Sequence, residues 1–447
     1  MNQQEQWSSK IGFILAAAGS AIGLGAIWKF PYMAGTNGGS VFFFLFILFT
    51  VLIGAPVLLA EFIIGRHAQT DAVRAYKKIA PNSAWHWVGY LGVVASFVLL
   101  SFYSVVGGWI VSYLLRSLSG LLIGKTQEEY NQLFGSIISN PWEVLLAQFI
   151  FLVLTILIVQ GGIQQGIERA SRYMMPALFI LFLVLVIRSL TLDGAMEGIQ
   201  FLLVPDFSYL NGQTALLALG QAFFALSVGV SVMVTYASYL GKEENLPKSA
   251  TSVAVLNIFI SFLAGLVVFP AVFALGFEPA SGPGLVFVVL PAVFNELAFG
   301  GFFFFIFMVL LLFATLTSSI SMLEIVVAVL TKSEQRKRKK FTWISGLLIF
   351  IAGIPSALSF GIFAKPLLFE KTFFDLADYF VSNISLPLGA LLISLFVGYK
   401  IPREQVWAEM KQGATMKHTL FTIWYVSVRY IAPIGIIIIF LNSLGLF

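Results

Sequence analysis

Long apolar segments alternate with short polar connections along the whole chain. Each segment has the length of about 20 residues that a helix needs to cross the hydrocarbon core of a bilayer. Helices are the expected form, because the backbone of an open sheet edge would stay unpaired in hydrocarbon. The pattern predicts an all-α integral membrane protein. Its eleven transmembrane helices are expected at residues 11–35, 40–65, 87–120, 144–161, 167–190, 214–240, 247–276, 300–331, 341–361, 374–398 and 418–445.

The distribution of Lys and Arg predicts the orientation of these helices. Most of the 26 basic residues fall in the N-terminal segment and in the even-numbered connections. The odd-numbered connections hold only Arg116, Lys125, Arg188, Lys365 and Lys371. Because basic residues accumulate on the cytoplasmic side, we expect a cytoplasmic N-terminus and an external C-terminus. The apolar run Ile11–Leu15 is too short for a signal peptide, so no cleavage is expected there.

Composition narrows the possible partners. Hydrophobic residues make up 59% of the chain and charged residues only 11%, which suits a surface that faces lipid. The net charge of +5 and the basic run from Lys332 to Lys340 could indicate a nucleic-acid patch, but that run lies between two membrane spans. There it is typical of an orienting loop near anionic lipid. We therefore expect the lipid bilayer, and no nucleic acid, as a partner. The sequence contains no cysteine, which excludes disulfides and thiolate metal sites.

Two of the predicted helices are interrupted at mid-membrane. Helix 1 contains Gly19, Gly23 and Gly25, and helix 6 contains the segment from Leu226 to Ser231. Glycine is a poor helix former. Matched interruptions in two halves of a membrane protein indicate a transporter built from inverted repeats, with unwound backbone available to bind a ligand. The alternative is that the glycines only allow close packing of helices.

Motifs on several helices resemble those of the neurotransmitter:sodium symporter family. They are residues 23–31 (GLGAIWKFP) and 37–39 (NGG) near helix 1, 220–227 (GQAFFALS) and 235–239 (TYASY) in helix 6, and 316–319 (LTSS) in helix 8. The resemblance covers essentially the whole chain. It implies one transporter domain, 1–447, with a first five-helix repeat at 11–190, an inverted second repeat at 214–398 and an extra helix at 418–445.

The resemblance also implies a function. Family members are secondary active symporters that work by alternating access, so we expect a transporter in a bacterial inner membrane and not an enzyme. An intramembrane enzyme would need convergent acids, bases or metal ligands, and the three histidines (His67, His86 and His418) lie near span ends or in connections. A channel would favour a continuous polar lining, whereas the central region is largely apolar.

Two sodium ions are expected from the resemblance. The second sodium site of the family maps onto the backbone of Gly19, Ile22 and Ala314 and the hydroxyls of Thr317 and Ser318. Neutral oxygens can bind a monovalent cation without preventing its release, although such hydroxyls also bond back to their own helix. The first site maps onto Ala21, Ser227 and Asn257, while two of its usual side-chain ligands are replaced by Ala26 and Ala225.

The resemblance further implies an amino acid substrate. Relatives that carry monoamines have an aspartate where this chain has Gly23, so the substrate is expected to bring its own carboxylate. The carboxylate is expected to meet Leu24, Gly25 and Tyr103, and the amine Ala21, Phe224 and Ser227. The side-chain pocket would comprise Leu99, Tyr103, Phe224, Val230, Ser319 and Met322. This set predicts a hydrophobic L-amino acid, in the range from leucine to tryptophan. Without the resemblance, these six residues would be interpreted as ordinary packing between helices.

Further positions match the gates of the family. The outer gate maps onto Lys29, Asp378 and Phe224, and the cytoplasmic gate onto Trp7, Ser238 and Tyr239. Gly166 and Pro176 match a helix 5 motif. Pro176 cannot donate a backbone hydrogen bond, so unwinding there could admit water to the second sodium site; a static kink is the alternative.

A few polar side chains within spans are candidates for function by their position alone. Glu61 is expected to bond the amides of the broken helices. Glu324 is expected either to attract departing sodium or to carry a returning proton, with a structural hydrogen bond as the alternative. Ser261 and Gln221 match chloride ligands of some relatives, but Phe46 replaces another ligand, and chloride dependence is not expected.

Overall fold

The computed structural model describes residues 5–277, 284–332, 334–366 and 370–443, and the regular elements among them are helices. We label the membrane helices α1 to α11 in chain order, with a and b for the two parts of an interrupted helix. They are α1a Lys10–Ala21, α1b Gly25–Thr36, α2 Ser40–Ala68, α3 His86–Leu118, α4 Pro141–Val159, α5 Ile163–Leu190, α6a Gly212–Ala225, α6b Val232–Ser238, α7 Leu246–Ala274, α8 Gly300–Thr331, α9 Arg336–Phe360, α10 Phe373–Lys400 and α11 His418–Ser443.

The helices agree with the predicted membrane fold. Within the described residues, nine helices are long and apolar enough to cross a membrane, and the bent pair α1a and α1b makes ten. The remaining predicted span, 214–240, corresponds to α6a and α6b, each of which is too short to qualify by itself. The all-helical membrane architecture with broken helices is confirmed, whereas the count of eleven and the repeat boundaries stay predictions.

The first break separates α1a from α1b, which meet at an angle of 51°. Gly23 lies in this break and faces α3 and α8. A Cβ at Gly23 would lie 2.2 Å from Ser318 Oγ and 2.8 Å from the Tyr103 hydroxyl. A Cβ there would force these two side chains to shift, so glycine allows their close approach to the break.

The second break, residues 226–231, has an unusual backbone. Ser227, Gly229 and Ser231 have φ angles of 53°, 98° and 56°, in the left-handed region that residues other than glycine rarely adopt. The Gly229 amide donates to Glu61 Oε1 of α2 at 2.7 Å, which is the role expected for Glu61. A Cβ at Gly229 would lie 2.3 Å from the Leu386 carbonyl oxygen of α10, so the break packs tightly against that helix.

Helix α9 begins earlier than predicted. The basic run before it was expected to be a loop, but Arg336 and the residues after it are helical. Arg338 is buried in the first turn because it forms an ion pair with Glu324 of α8. A basic stretch by itself predicts a solvated connection, and only the partner on α8 explains why one of its arginines enters the protein.

A buried charge cluster joins α2 to the helix Arg403–Lys411, which connects α10 and α11. Arg66 Nε donates to Glu409 Oε1 at 2.7 Å, Lys242 Nζ lies 3.4 Å from the same oxygen, and His67 Nδ1 lies 3.2 Å from Oε2. Burial opposes ionisation of this carboxyl, but the hydrogen bonds from His67 and Arg66 and the charges of Arg66 and Lys242 lower the pKa of Glu409 to about 2. The cluster therefore fixes the end of α2 to this connecting helix with a charged carboxylate.

Replacing Glu409 by Gln is expected to destabilise the protein by about 3 to 5 kcal/mol, because the Arg66 guanidinium stays buried without its counter-charge. Thermal unfolding in detergent measures the change. Glu404→Gln, on an exposed position of the same helix, is the matched control and should change stability by less than about 0.5 kcal/mol. Equal melting temperatures for the two variants would contradict the importance of the cluster.

The same carboxyl predicts an acid dependence of stability. Its folded pKa lies below the unfolded value, so its stabilisation is complete above about pH 4.3 and is lost as the pH falls toward about 2. The wild-type melting temperature should therefore fall over that interval by more than the melting temperature of Glu409→Gln.

Candidate substrate and ion site

A cavity lies between the breaks of α1 and α6, a place where the unwound backbone of both helices can contact a ligand. Most residues predicted to contact the substrate line it: Ala21, Gly23, Leu24, Gly25, Leu99, Tyr103, Phe224, Ser227, Val230 and Met322. Substrate contact was not predicted for the other lining residues, which are Ser20, Val232, Ser318, Ser321 and Leu386; of these, the sequence indicated only Ser318, as a sodium ligand. None of these lining residues is ionisable at neutral pH, so the charges of a ligand would meet only backbone groups and hydroxyls.

One end of the cavity is polar. The Leu24 amide donates to the Tyr103 hydroxyl at 3.4 Å, and Ser318 is hydrogen-bonded to the same hydroxyl. Leu24 directly precedes α1b, so its amide lies at the positive end of that helix dipole. This combination of an amide, a phenol and a helix N-terminus suits a carboxylate.

The other end of the cavity is apolar, with Leu99, Val230 and Met322 among its walls. The prediction that Ser319 contributes to this wall is corrected by the structure. Ser319 Oγ lies 2.8 Å from Thr155 Oγ1 of α4, and Ser319 is not among the lining residues. Ser318, Ser321 and Met322 lie on one face of the helix, whereas Ser319 is rotated by about 100° from Ser318 around the helix axis and contacts α4.

The residues of the predicted second sodium site lie where α1 and α8 meet. Ser318 Oγ donates to the carbonyls of Gly19 and Ser20 at 3.3 and 3.0 Å. A Cβ at Gly19 would lie 3.0 Å from Thr317 Cβ, so the two helices touch at this point. Thr317 Oγ1 donates to the Ala314 carbonyl at 2.9 Å. This is a hydrogen bond within its own helix, which the sequence indicated as the alternative to a sodium role. The Ser318 hydroxyl and the carbonyls of Gly19 and Ser20 are therefore in contact where the two helices meet.

The residues of the predicted first sodium site lie beside both breaks. Asn257 Nδ2 of α7 donates to the carbonyls of Ala21 and Ala225 at 3.3 and 2.7 Å. Asn257 Oδ1 is buried and has no hydrogen-bond partner in the described part of the chain. Ser227 Oγ donates to the Ser20 carbonyl at 3.0 Å. A buried, unpaired oxygen is rare in proteins, and here it fits a cation ligand.

A second cavity of about 690 Å³ adjoins the first on its outer side and shares Leu24, Leu99, Tyr103 and Phe224 with it. Lys29 and Asp378 both line this vestibule, as expected for the outer gate. Lys29 Nζ lies 4.0 Å from the centroid of the Phe224 ring, a cation–π distance. Asp378 Oδ1 accepts from the Ser382 hydroxyl at 2.7 Å. Phe224 therefore separates the cavity from the vestibule, with Lys29 against its ring.

The N-terminal segment closes the opposite side. The Trp7 amide donates to the Tyr239 carbonyl at 3.1 Å, and Trp7 Nε1 donates to the Tyr236 carbonyl at 2.9 Å. Ser238 Oγ donates to the Thr235 carbonyl of its own helix, so the three predicted residues of the cytoplasmic gate lie together at the end of α6b.

Glu324 lies beneath this seal in an ion pair that the sequence did not indicate. The Tyr239 hydroxyl donates to Glu324 Oε1 at 2.7 Å, and Arg338 donates to both carboxylate oxygens. Arg338 also donates to the Val159 carbonyl at the end of α4. These hydrogen bonds correspond to the structural alternative for Glu324. Its carboxylate joins the end of α6b to α8 and α9.

The start of α5 holds the N-terminal segment. Glu168 accepts hydrogen bonds from the Ser8 amide at 2.8 Å and from the hydroxyls of Ser8 and Ser9, and it pairs with Arg172. Residues Ile163–Glu168 form a π-helical turn. Gly166 is in this turn, where a Cβ would lie 2.1 Å from the Ile158 carbonyl oxygen, and Pro176 follows inside the helix. The predicted motif thus lies directly beyond the contacts that hold the N-terminal segment.

Comparisons with known proteins show the family of the chain. A family model described as the sodium:neurotransmitter symporter family matches residues 4–134 and 126–447. The chain is 57% identical to YhdH, an uncharacterized sodium-dependent transporter of Bacillus subtilis (strain 168), over 100% of this chain and 99% of the relative. It is 38% identical to an uncharacterized sodium-dependent transporter of Haemophilus influenzae, over 99% and 98% of the two chains.

A solved structure extends the likeness to three dimensions. The structure of MhsT in complex with L-phenylalanine has a TM-score of 0.91 and 44% identity, and the match covers 99% of this chain and 100% of MhsT. The family match and the relatives cover nearly all of the chain. The protein is therefore a sodium-dependent membrane transporter, not an enzyme, and belongs to the sodium:neurotransmitter symporter family.

Proposed function

We propose that this symporter imports hydrophobic L-amino acids, from leucine to tryptophan, together with sodium ions by alternating access. The observation that carries the proposal is the cavity at the two helix breaks, which combines a polar end, an apolar end and no ionisable side chain. A zwitterionic amino acid brings both of its own charges to such a site. The L-phenylalanine bound to MhsT is a ligand of this class.

In the proposed pose the substrate carboxylate faces the Leu24 and Gly25 amides and the Tyr103 hydroxyl. The ammonium group faces the carbonyls of Ala21, Phe224 and Ser227, at the unwound backbone. The side chain extends between Leu99, Val230 and Met322. Met322 is flexible and polarisable, so it adapts to side chains of different shape, which supports a range of apolar substrates.

We further propose that two sodium ions accompany the substrate. One would be held by Gly19, Ile22, Ala314, Thr317 and Ser318, and the other by Ala21, Ser227 and Asn257. Both sets join a broken helix to an intact one, so each ion would stabilise the arrangement in which the cavity is formed.

Chloride is not part of the proposal. The protein would lie in a bacterial inner membrane with its N-terminus in the cytoplasm and its C-terminus outside.

Uptake into proteoliposomes tests the proposed function. Labelled tryptophan and leucine should accumulate when sodium is higher outside and should not accumulate when the sodium gradient is absent. Labelled lysine and glutamate are the matched controls, because an added side-chain charge would be buried in an apolar pocket at high cost. Sodium-driven uptake of the charged amino acids at equal rates would contradict the proposed specificity.

Substitution of Gly23 by Ala connects this uptake to the cavity. The added Cβ would collide with Ser318 Oγ and the Tyr103 hydroxyl, so tryptophan binding should be lost while the melting temperature stays near that of the wild type. Gly220→Ala is the control, because a Cβ at Gly220 meets nothing within 4 Å, and it should bind normally. Normal binding by Gly23→Ala would show that the substrate binds elsewhere.

Removal of the Thr317 hydroxyl tests the second sodium site. Thr317→Val keeps the shape of the side chain, and the sodium concentration that half-saturates substrate binding should rise by about tenfold or more, since a hydrogen-bonding or coordinating oxygen to a charged ligand is lost. Thr315→Val on the same helix is the control, because Thr315 is equally buried and its hydroxyl also donates to its own helix, but it is not among the proposed sodium ligands. An equal shift in both variants would argue against a sodium contact at Thr317.

The Glu324–Arg338 pair is proposed to hold the cytoplasmic side closed. Glu324→Gln leaves Arg338 without its counter-charge. Because the chain has no cysteine, a single Ser321→Cys substitution can report access to the cavity. A membrane-impermeant thiol reagent added on the cytoplasmic side should label it several-fold faster in the Glu324→Gln background, and Glu324→Gln/Arg338→Gln should reverse part of that gain. An unchanged labelling rate, with altered pH dependence of uptake, would instead support the proton-carrying role.

A further inference from the structure

Two arginines lie among aromatic rings where α10 ends and α11 passes beside it. Arg429 Cζ lies 4.6 Å from the centroid of the Tyr399 ring and 5.5 Å from that of Tyr430. Both guanidinium groups contact the Tyr425 ring, whose centroid lies 5.4 Å from Arg403 Cζ and 5.9 Å from Arg429 Cζ. The rings orient both cations by cation–π contact but do not neutralise them.

Neither arginine has a counter-charge in the described residues. No ion pair there includes Arg403 or Arg429. Arg403 donates to the neutral hydroxyl of Thr422 at 3.2 Å. Arg429 lies within the span of α11, and its Nε is buried without a hydrogen-bond partner among the described groups. Ionisable residues within membrane spans normally pair with another group, so an anionic partner from outside the chain is indicated.

The backbone holds Arg429 in place. Residues Phe396–Lys400 of α10 and Ser427–Ile431 of α11 are both π-helical turns, a rare form that often marks functional sites. The Tyr399 hydroxyl donates to the Arg429 carbonyl at 3.0 Å. A Cβ at Gly398 would lie 3.1 Å from Arg429 Cα, so only glycine allows the helices this contact. Arg429 is therefore anchored at the crossing of the two helices.

The surface next to the arginines indicates what kind of anion this is. The Tyr399 and Tyr430 rings, which contact Arg429, are on residues 53% and 49% exposed, in two helices that span the membrane. Exposed side chains on such helices face lipid. An occupant with a phosphate near the guanidinium groups and hydrocarbon along α11 satisfies both surfaces, whereas a free phosphate ion would contact only the first.

We propose that Arg403 and Arg429 bind the phosphate of an anionic phospholipid in the leaflet next to the connection between α10 and α11, which is the cytoplasmic leaflet in the orientation proposed above. Guanidinium groups form paired, charge-assisted hydrogen bonds with phosphate oxygens. Basic pockets between membrane helices on the cytoplasmic side are suited to anionic headgroups. Tyr399 and Tyr430 lie at the edges of the site, where aromatic side chains commonly meet the membrane interface.

Native mass spectrometry of the full-length protein in detergent tests the site. Phosphatidylglycerol is titrated, with phosphatidylcholine as the zwitterionic lipid for comparison, against wild type and Arg403→Gln/Arg429→Gln. Each arginine near the headgroup is expected to contribute roughly fivefold to affinity, so the double variant should bind phosphatidylglycerol roughly 25-fold more weakly and phosphatidylcholine unchanged. Lys125→Gln/Lys365→Gln, in connections on the opposite side of the protein and not buried, removes the same charge and should bind like the wild type.

Several results would overturn the proposal. Equal weakening in both double variants would show a general effect of net charge. Unchanged phosphatidylglycerol binding in Arg403→Gln/Arg429→Gln would show that the arginines do not form the site, and displacement of the lipid by millimolar inorganic phosphate would show a free-anion site. If the double variant does not fold, Arg403→Gln alone is used, because that residue is exposed, and the expected loss is then roughly fivefold.

Discussion

Backbone amides and carbonyls released by the two helix breaks cannot stay unpaired at mid-membrane, because no water is available there to bond them. The rest of the site depends on how this requirement is met. Glu61 pairs with the Gly229 amide, and Asn257 pairs with carbonyls from both breaks. The Ser318 hydroxyl reaches carbonyls of α1 from α8. Intact helices α2, α7 and α8 thus hold the broken ones, and the groups left over face a single cavity.

This arrangement explains how the cavity can bind a charged molecule without charged side chains. Backbone dipoles and hydroxyls supply the polar end, and the helix dipole of α1b adds to it. A neutral site avoids the cost of keeping an unpaired charge in a low dielectric between transport cycles. The two sides of the cavity differ: Trp7 and the Glu324–Arg338 pair form contacts on one side, which we propose is the cytoplasmic one, while a vestibule reaches Phe224 from the other side.

The cytoplasmic contacts form one continuous set. Glu168 binds Ser8 and Ser9 directly before α1a, and Trp7 binds the end of α6b. The α5 turn that contains Gly166 therefore contacts the same short segment that seals the cavity. Unwinding at this turn would release both the segment and the seal, which is a physical link between the helix 5 motif and opening toward the cytoplasm. The charge cluster at Arg66 and Glu409 lies apart from these contacts and fixes α2 to the connection between α10 and α11.

The sequence by itself determined the membrane architecture, the two breaks and most of the cavity, because span length, glycine content and the family motifs are local features of the chain. It also led to Glu61, Asn257 and Tyr103. Ser321 could have been found from its spacing to Ser318 on one helix face. Only the tertiary structure decided that Ser319 faces Thr155, that Arg338 is buried against Glu324, and that Arg403 and Arg429 share the Tyr425 ring. These depend on the rotation of each helix about its axis and on contacts between residues far apart in the chain, and neither composition nor spacing encodes that geometry.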